Sequence, residues 1–384
     1  MRILLLFFVF TLLVLGAGPQ KIATFDRALW SHPVDSRKAF DLASRHEIIS
    51  YVRQINLHDT MDEASIKNFT AVKSVAVDSV HKWLTFTKKN LYSNFIHAQA
   101  SCHTAEPLCA SVANWAELEK LAEDYTPDPS LASWFEASQT FFSYYLYEQM
   151  RLAALFPNIT SEIDTLDTSE SQGFEYLDGT FLLTFDDGPK YLQTAKLIDL
   201  LRTLHLNGLF FVLGENLEHE LKKQGKGKIQ TLYTGMCVGS HGYIHKVHPK
   251  LQDWQPLYAK TKQLITESGL WDTDQNGLWF RPPYGQRDQA LIDHLATLND
   301  KVMLWNIDSQ DWNRKLSAKH VEDRLVTLML LHRKGILLFH DVHTKAAQSI
   351  EALNALLQKS QMQWIDCKTI SASNKNNELY SNNN

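Results

Sequence analysis

The stretch FLLTFDDGP at Phe181–Pro189 decides how we interpret the second half of the chain. It joins a short apolar run, Phe181–Phe185, to the adjacent carboxylates of Asp186 and Asp187. Such a run, bounded by turn-forming residues, is typical of a buried strand. Asp-Asp-Gly-Pro by itself is most often only a turn. The interpretation therefore depends on whether other strands end in the same way.

Later parts of the chain repeat this arrangement of an apolar run followed by polar residues. Five further runs are Gly208–Leu213, Met236–Gly239, Leu278–Phe280, Val302–Ile307 and Ile336–Phe339. The last four lead into polar clusters at His241–His245, Arg281–Gly285, Asp308–Trp312 and His340-Asp341. Helix-like segments lie between the runs, at Tyr191–Leu204, Leu257–Glu267 and Val321–His332. Strands alternating with helices indicate βαβ units and an α/β fold with a parallel sheet or barrel. The strand ends then lie on one face, so the clusters are expected to converge.

The composition of these clusters indicates a metal site with hydrolytic chemistry. His241 and His245 are four residues apart, so on a helical turn both imidazoles would point the same way and share one ion. A carboxylate from another strand would complete a set of two histidines and one aspartate, with positions left for water. Gly242 stands where a zinc protease has its glutamate, so the general base must come from elsewhere. Two adjacent aspartates can divide these tasks, one on the metal and one on the water.

The segment from about Thr180 to Cys367 resembles the NodB homology domain of polysaccharide deacetylases, also called carbohydrate esterase family 4. Its five motifs have counterparts at Thr184–Pro189, His241–His245, Arg281–Gly285, Asp308–Trp312 and Leu338–His340. The resemblance implies a distorted (β/α) barrel of NodB type. It also implies metal-dependent hydrolysis of N-acetyl groups from an N-acetylhexosamine-containing polysaccharide, with release of acetate. The acetylated polysaccharide is the expected partner.

Carried over by position, the resemblance implies that Asp187, His241 and His245 hold one divalent ion. Zinc is the default for this donor set, with cobalt or nickel as alternatives. Gly242 departs from the family, which often has Ser or Thr there, although no ligand is lost. Two extra histidines near the motifs are expected to be bystanders: His248 and His343.

The resemblance also implies the catalytic roles. Asp186 corresponds to the general base, and Arg281 holds it. His340 corresponds to the acid that protonates the departing amine, and Asp311 tunes it. Three further residues are expected to meet the substrate, two beside the acetyl methyl group and one through its backbone N–H at the oxyanion: Trp312, Leu338 and Tyr284.

The first part of the chain, residues 19–160, has a helical period and is predicted to form an all-α region. Apolar spacing predicts helices over Ser36–Asn56 and from Asp62 toward Leu91. Asn114 followed by Glu117 resembles a capping box, and Asp128 before Pro129 predicts a last helix that ends near Phe156. This last helix is rich in aromatic rings, which favours a helix core over a sugar-stacking groove: Trp134, Phe135, Phe141, Phe142, Tyr144, Tyr145 and Tyr147.

Composition suggests the remaining divisions. Residues 161–179 are acidic and rich in Ser and Thr, which predicts a linker. The deacetylase-like domain is then expected over 180–372, followed by a disordered polar tail at 373–384. After Arg2, the apolar run Ile3–Gly18 predicts a signal peptide over residues 1–18. An uncleaved anchor is the alternative, but the run is shorter than the roughly 20 residues of a spanning helix. We therefore expect a secreted, periplasmic or cell-envelope protein without a stable membrane span after cleavage.

The net charge and the number of cysteines indicate which binding partners and which cellular compartment to expect. The 384 residues carry a formal net charge of −5 with a pI near 6.3, which gives no electrostatic reason to expect nucleic acid. The chain has four cysteines, an even number, which is typical of exported proteins with disulfide bonds. Their positions favour the pairs Cys102–Cys109 and Cys237–Cys367, with buried free thiols as the alternative for the second pair.

Two rival functions stay open at this point. The same motifs would serve an O-acetyl ester hydrolase acting on a polysaccharide such as xylan. A non-catalytic glycan-binding protein is the rival of a different class, although every motif residue needed for hydrolysis is present. The polymer itself stays open among chitin, peptidoglycan and an exopolysaccharide such as poly-N-acetylglucosamine.

Overall fold

A computed structural model describes residues 21–102, 108–271 and 277–370 of the chain. The predicted signal peptide over 1–18 and the predicted tail over 373–384 lie outside these residues. Across the three described ranges, no helix combines the length and apolar character needed to cross a membrane. Both predicted disulfides, Cys102–Cys109 and Cys237–Cys367, are present.

The N-terminal region is helical, as predicted. Its helices are α1 Arg37–Asn56, α2 Glu63–Thr70, α3 Val77–Ala98, α4 Trp115–Asp124 and α5 Ala132–Leu155. Side chains of Ser36 and Asn114 cap α1 and α4 by accepting backbone N–H groups, which leaves fewer unpaired donors at the helix starts. The pattern predicted to run from Asp62 toward Leu91 forms two helices, because Ala71 ends α2 in the left-handed conformation (φ 54°).

The aromatic helix α5 contributes to the core. Trp134, Phe141, Phe142 and Tyr145 are all buried, with exposed fractions of 0–3%. Phe141 packs edge-on against Phe142 with ring centroids 5.1 Å apart. The predicted core role of this helix is thereby confirmed for these rings.

The second part of the chain is an α/β structure built on a parallel sheet. Its strands are β1 Thr180–Asp186, β2 Leu209–Val212, β3 Cys237–Ser240, β4 Trp279–Phe280, β5 Lys301–Val302, β6 Ile307–Asp308, β7 Gly335–His340 and β8 Gln363–Trp364. The order is β5-β4-β3-β2-β1-β7-β6, with β8 beside β1, and every pair is parallel. This sheet, together with the helical region before it, confirms the predicted distorted (β/α) barrel preceded by helices.

In the described part of the chain, seven α-helices surround this sheet. They are α6 Tyr191–Thr203, α7 Gly214–Gln224, α8 Lys226–Tyr233, α9 Trp254–Glu267, α10 Gln289–Thr297, α11 Ala318–His332 and α12 Lys345–Ser360. Parallel neighbours need such crossover connections, because one strand must return to the starting edge before the next begins. The carboxyl ends of β1 and β7 therefore lie side by side, with Asp186 opposite His340.

The prediction of a single strand over Val302–Ile307 is wrong. This run contributes to two separate strands, β5 and β6. Met303, in the connection between them, makes a parallel bridge with Ser171. The Ser171 N–H donates to the Val302 carbonyl at 3.0 Å, and the Leu304 N–H donates to the Ser171 carbonyl at 2.7 Å. The apolar run is thus interrupted because part of its backbone pairs with a distant segment.

That segment, residues 161–179, forms no helix or strand, yet it is packed rather than free in solvent. Ile163, Glu170, Gln172 and Tyr176 are buried. Glu170 forms a buried ion pair with Arg287, which also donates to the carbonyls of Ser161 and Asp164. The acidic composition that favoured a linker serves, in part, to pair with a buried arginine. The divisions at residues 160 and 179 stay predictions.

Helix α11 lies between the helical region and the sheet. The Ser44 hydroxyl donates to the Leu330 carbonyl at 2.7 Å, and the Asn94 amide donates to the Leu331 carbonyl at 3.2 Å. Arg324 pairs with Glu148 of α5 at 2.7 Å. One continuous apolar core includes residues from both parts of the chain. The helical region is therefore structurally joined to the barrel.

Candidate metal and catalytic site

The three predicted ligands meet beyond the carboxyl ends of β1 and β3. Asp187 Oδ1 lies 3.5 Å from His241 Nε2 and 3.5 Å from His245 Nε2. The three candidate ligand atoms all lie within 4.8 Å of one another. Asp187 Oδ1 is buried and has no hydrogen-bond partner in the described parts of the chain. The structure thus brings two imidazoles and one carboxylate together around a common point.

The predicted helical turn over His241–His245 is wrong, because these residues form an irregular loop after β3. Gly242 turns the loop with a φ of 81°, a conformation that residues with a Cβ rarely adopt. A Cβ at this position would lie 2.4 Å from Cε1 of the buried His248 ring, so only glycine fits. The departure from Ser or Thr at this position therefore has a steric reason.

The ring of His241, the first histidine of the pair, is held in place through its Nδ1 atom. His241 Nδ1 lies 2.7 Å from the Arg281 carbonyl oxygen, which leaves Nε2 directed toward Asp187. Burial lowers the pKa of His241 to about 3, so the ring is neutral at physiological pH, as a metal ligand must be.

The residues fit a divalent cation of the zinc type. Ligand atoms about 2.1 Å from a tetrahedral zinc ion are separated from one another by about 3.4 Å. The two separations of 3.5 Å from Asp187 Oδ1 match this value. Asp187, His241 and His245 would hold the ion, which would leave coordination positions free for water.

The second aspartate, Asp186, is held beside this ligand set by a buried arginine. Arg281 Nη1 donates to Asp186 Oδ1 at 2.9 Å and to Thr184 Oγ1 at 2.8 Å. Its other N–H groups donate to the carbonyls of Met303 and Leu304. Burial raises the pKa of Asp186, and Arg281 acts against this effect by stabilising the carboxylate. Asp186 is thus oriented, with Oδ2 3.8 Å from His241 Nε2.

The predicted acid lies on the adjacent strand end. His340 Nδ1 lies 2.7 Å from Asp311 Oδ1, and the His340 backbone N–H donates to Asp311 Oδ2 at 3.0 Å. Burial alone would lower the pKa of His340, but the Asp311 carboxylate more than offsets it and the pKa is raised to about 10. The ring is therefore protonated at neutral pH, with Nε2 available as a proton donor.

The three residues expected to meet the substrate differ in exposure. Tyr284 and Trp312 are 55% and 47% exposed, whereas Leu338 is 5% exposed. The Tyr284 ring lies 4.5 Å from the His245 ring, and its backbone is left-handed (φ 61°), as tight turns require. Their roles toward substrate stay predictions.

Two further residues, His343 and Asp341, lie near the site. His343 lies 6.0 Å, ring to ring, from His340. Asp341, which the motif analysis did not assign, is buried and accepts a hydrogen bond from Thr194 at 2.6 Å. A Cβ at Gly188 would lie 2.0 Å from Asp341 Oδ2, so this carboxyl group packs directly against the turn that carries Asp187. Its position directly after His340 was the only sequence signal for it.

Comparison with known proteins supports the motif analysis. Residues 176–302 match the family model described as polysaccharide deacetylase, which confirms the predicted resemblance for this part of the chain. The matched residues contain the first three motifs. The last two motifs lie beyond them and meet the first three in the structure through β6 and β7.

Several characterised relatives share this region. The chain is 29% identical over 189 residues to the peptidoglycan-N-acetylglucosamine deacetylase PgdA of Listeria monocytogenes, which covers 48% of this chain and 37% of that protein. It is 27% identical over 200 residues to chitin deacetylase 1 of Saccharomyces cerevisiae (48% and 59%). It is 34% identical over 142 residues to the bifunctional xylanase/xylan deacetylase of Cellvibrio japonicus (35% and 20%). The chain thus spans little more than a third of the Listeria relative.

Solved structures with a similar fold include the Bc1960 peptidoglycan N-acetylglucosamine deacetylase. It is 21% identical, with a TM-score of 0.47 over 54% of this chain and 94% of that one. The family 4 carbohydrate esterase from Streptomyces lividans is 27% identical, with a TM-score of 0.39 over 47% of this chain and 87% of that one.

Proposed function

We propose that this protein is a metal-dependent polysaccharide deacetylase, which hydrolyses N-acetyl groups of an N-acetylhexosamine-containing polymer and releases acetate. The observation that carries the proposal is the joint placement of three groups at one edge of the sheet. Asp187, His241 and His245 form the ligand set, the Asp186–Arg281 pair lies beside it, and the His340–Asp311 pair lies on the adjacent strand end.

A divalent ion at the ligand set, most simply Zn²⁺, would polarise the amide carbonyl and lower the pKa of water from 15.7 toward about 7. Asp187 Oδ1 would gain the partner that it otherwise lacks. Co²⁺ and Ni²⁺ also suit two imidazoles and one carboxylate.

The chain's own residues then carry the proton transfers. Asp186, held by Arg281, accepts a proton from the attacking water as the new C–O bond forms. His340 donates its proton to the amide nitrogen as the C–N bond breaks, so that the amine leaves neutral rather than as an anion. The products are acetate and a free amine on the sugar. The raised pKa of His340 keeps this proton available at neutral pH.

The binding of the acetyl group is assigned to residues at the rim of the site. We place the methyl group between Trp312 and Leu338, and the oxyanion at the Tyr284 backbone N–H. The exposed rings of Tyr284 and Trp312 offer flat surfaces to a polymer that arrives from solvent. The proposed location is outside the cytoplasm, in agreement with the two disulfides.

Acetate release from a panel of polymers tests this function. The panel contains chitin oligomers, peptidoglycan, poly-N-acetylglucosamine and acetylated xylan, each with and without a chelator. We expect chelator-sensitive release from at least one of the first three polymers. Release from xylan alone would instead favour an O-acetyl esterase. Binding of sugar without any acetate release would favour a non-catalytic glycan-binding protein.

A further inference from the structure

A cleft outside the catalytic site lies where the helical region, the 161–179 segment and the barrel meet. Its lining includes Trp83 and Phe86 of helix α3, together with Phe174 and Trp305. The cleft has a volume of about 40 Å³, or about 620 Å³ when the open space in front of it is counted. At roughly 10–15 Å³ for each water-sized group, 40 Å³ gives room for about three such groups.

Several polar groups in the lining of the cleft lack hydrogen-bond partners. The Tyr51 hydroxyl and Trp305 Nε1 both line the cleft, are buried, and have no hydrogen-bond partner within the described ranges. The carboxyl groups of Glu162 and Asp308 line the same space. Asp308 accepts hydrogen bonds from Gln310, whereas no side chain in the described residues donates one to Glu162. Buried polar groups are rarely left unpaired, so this cleft is built for a polar occupant.

The charged and aromatic residues of the cleft indicate which chemical groups can bind there. Burial, and after it the neighbouring Asp308, raises the pKa of Glu162 to about 8. Arg324 also lines the cleft, but its guanidinium is paired with Glu148. A cation placed here would compensate the negative charge of the Glu162 carboxylate, and the surrounding aromatic faces favour ammonium groups. The unpaired donors of Tyr51 and Trp305 need acceptors in addition, which hydroxyl oxygens or water supply.

The mouth of the cleft suits an apolar sugar face. Phe86 is 39% exposed and packs edge-on against Phe174, with ring centroids 5.0 Å apart. A pyranose ring is larger than the 40 Å³ of the cleft, but it can lie across these rings with one small substituent directed into the cleft. An ammonium group fits that space, whereas an acetamido group is larger and carries no charge.

We infer that this cleft binds a hexosamine residue with a free amine, because the acidic residues Glu162 and Asp308 line it together with the aromatic rings of Phe86 and Phe174. The choice of an aminosugar rests on the proposed function, since such residues are its product. None of the three metal-ligand residues lines the cleft. Trp305 separates the two sites, because its ring lies 5.4 Å from the Arg281 guanidinium on the catalytic side. The cleft would hold deacetylated stretches of polymer while the catalytic site processes acetylated ones.

Calorimetric titration of the full chain tests the inference with two probes, the glucosamine disaccharide and its di-N-acetylated counterpart. A chelator is present throughout, so that binding at a metal-loaded catalytic site does not contribute. We expect the free amine to bind at least tenfold more tightly than the acetylated probe. Equal affinity for both would overturn the choice of a free amine, and no heat with either would overturn the site itself and indicate a cleft filled by water alone.

Matched variants locate the binding. Glu162→Gln keeps the shape and removes the charge, and is expected to weaken glucosamine binding at least tenfold. Phe86→Ala alters only an exposed rim residue and should weaken it several-fold with the fold intact. Glu63→Gln, an exposed carboxylate on α2, is the control and should bind as the parent does. Unchanged affinity in both Glu162→Gln and Phe86→Ala would contradict this site. Glucosamine binding in a chain that releases no acetate would refute the proposed function alone.

Discussion

The catalytic edge of the barrel and the interface between the helical region and α11 both bury charged side chains, but they use them differently. At the interface, both oxygens of Glu148 accept hydrogen bonds from Arg324, and one also accepts the Ala23 N–H. At the catalytic edge, Asp186 is paired with Arg281, yet the neighbouring Asp187 Oδ1 has no partner among the described residues.

This contrast distinguishes charged groups that are buried for structural reasons from charged groups that are buried for function. A buried ion pair with all its hydrogen bonds made stabilises one packing arrangement and offers nothing to a ligand. A buried carboxylate oxygen left unpaired next to two imidazoles costs free energy unless something binds there. The difference therefore predicts that variants of the edge change catalysis or metal binding, whereas variants of the interface change stability.

The largest expected effect is on the proposed acid. His340→Ala should lower kcat by about 10²–10⁴-fold, because the amine must then leave without a proton donor. Metal content and unfolding midpoint should stay close to those of the parent. Steady-state acetate release and metal analysis measure this directly. Full turnover in the variant would remove the acid role from His340.

A substitution at the interface between the helical region and α11 is expected to lower the stability of the protein. Arg324→Met leaves the buried Glu148 charge without its partner and should lower the free energy of unfolding by about 3–5 kcal/mol in urea titration. The double variant Glu148→Leu/Arg324→Met is the matched control and should recover most of that loss. A single variant as stable as the parent would show that this pair does not hold the helical region to α11.

A smaller effect is expected when the partner of His340 changes. Asp311→Asn removes the negative charge that raises the pKa of His340, so the proton is lost at lower pH. A hydrogen bond to a charged group contributes about 1.5–3 kcal/mol, which corresponds to roughly one to two pH units. The alkaline limb of the kcat profile should therefore move to lower pH by about that amount. An unmoved limb would mean that another group sets it.

The smallest effect is expected at an exposed ion pair. Lys67 lies 2.6 Å from Glu63 one turn earlier on α2, and both side chains are exposed to solvent. Glu63→Gln should cost no more than about 0.5 kcal/mol of unfolding free energy. A loss as large as that of Arg324→Met would contradict the distinction between buried and exposed pairs.

Much of the barrel could be predicted from the sequence, because strand period and strand-end motifs are local signals. Phe181–Phe185 lies within β1, and the clusters that follow β1, β3 and β7 meet as expected. Ser36 and Asn114 also cap helices where predicted.

Other features depend on contacts that no local pattern encodes. The run Val302–Ile307 divides because Met303 pairs with Ser171, which is far away in sequence. The acidic segment 161–179 was predicted as a linker, since nothing near it indicates its buried partner Arg287. The residues His241–His245 form a loop rather than a helical turn, and Gly242 within it has a φ of 81°.

Metal content of purified protein tests the central claim most directly. The account predicts about one divalent ion bound per parent chain, and its loss from Asp187→Ala, His241→Ala and His245→Ala, while Asp186→Asn keeps it. Retention of one ion per chain in all three ligand variants, with folded protein verified by circular dichroism, would contradict the account.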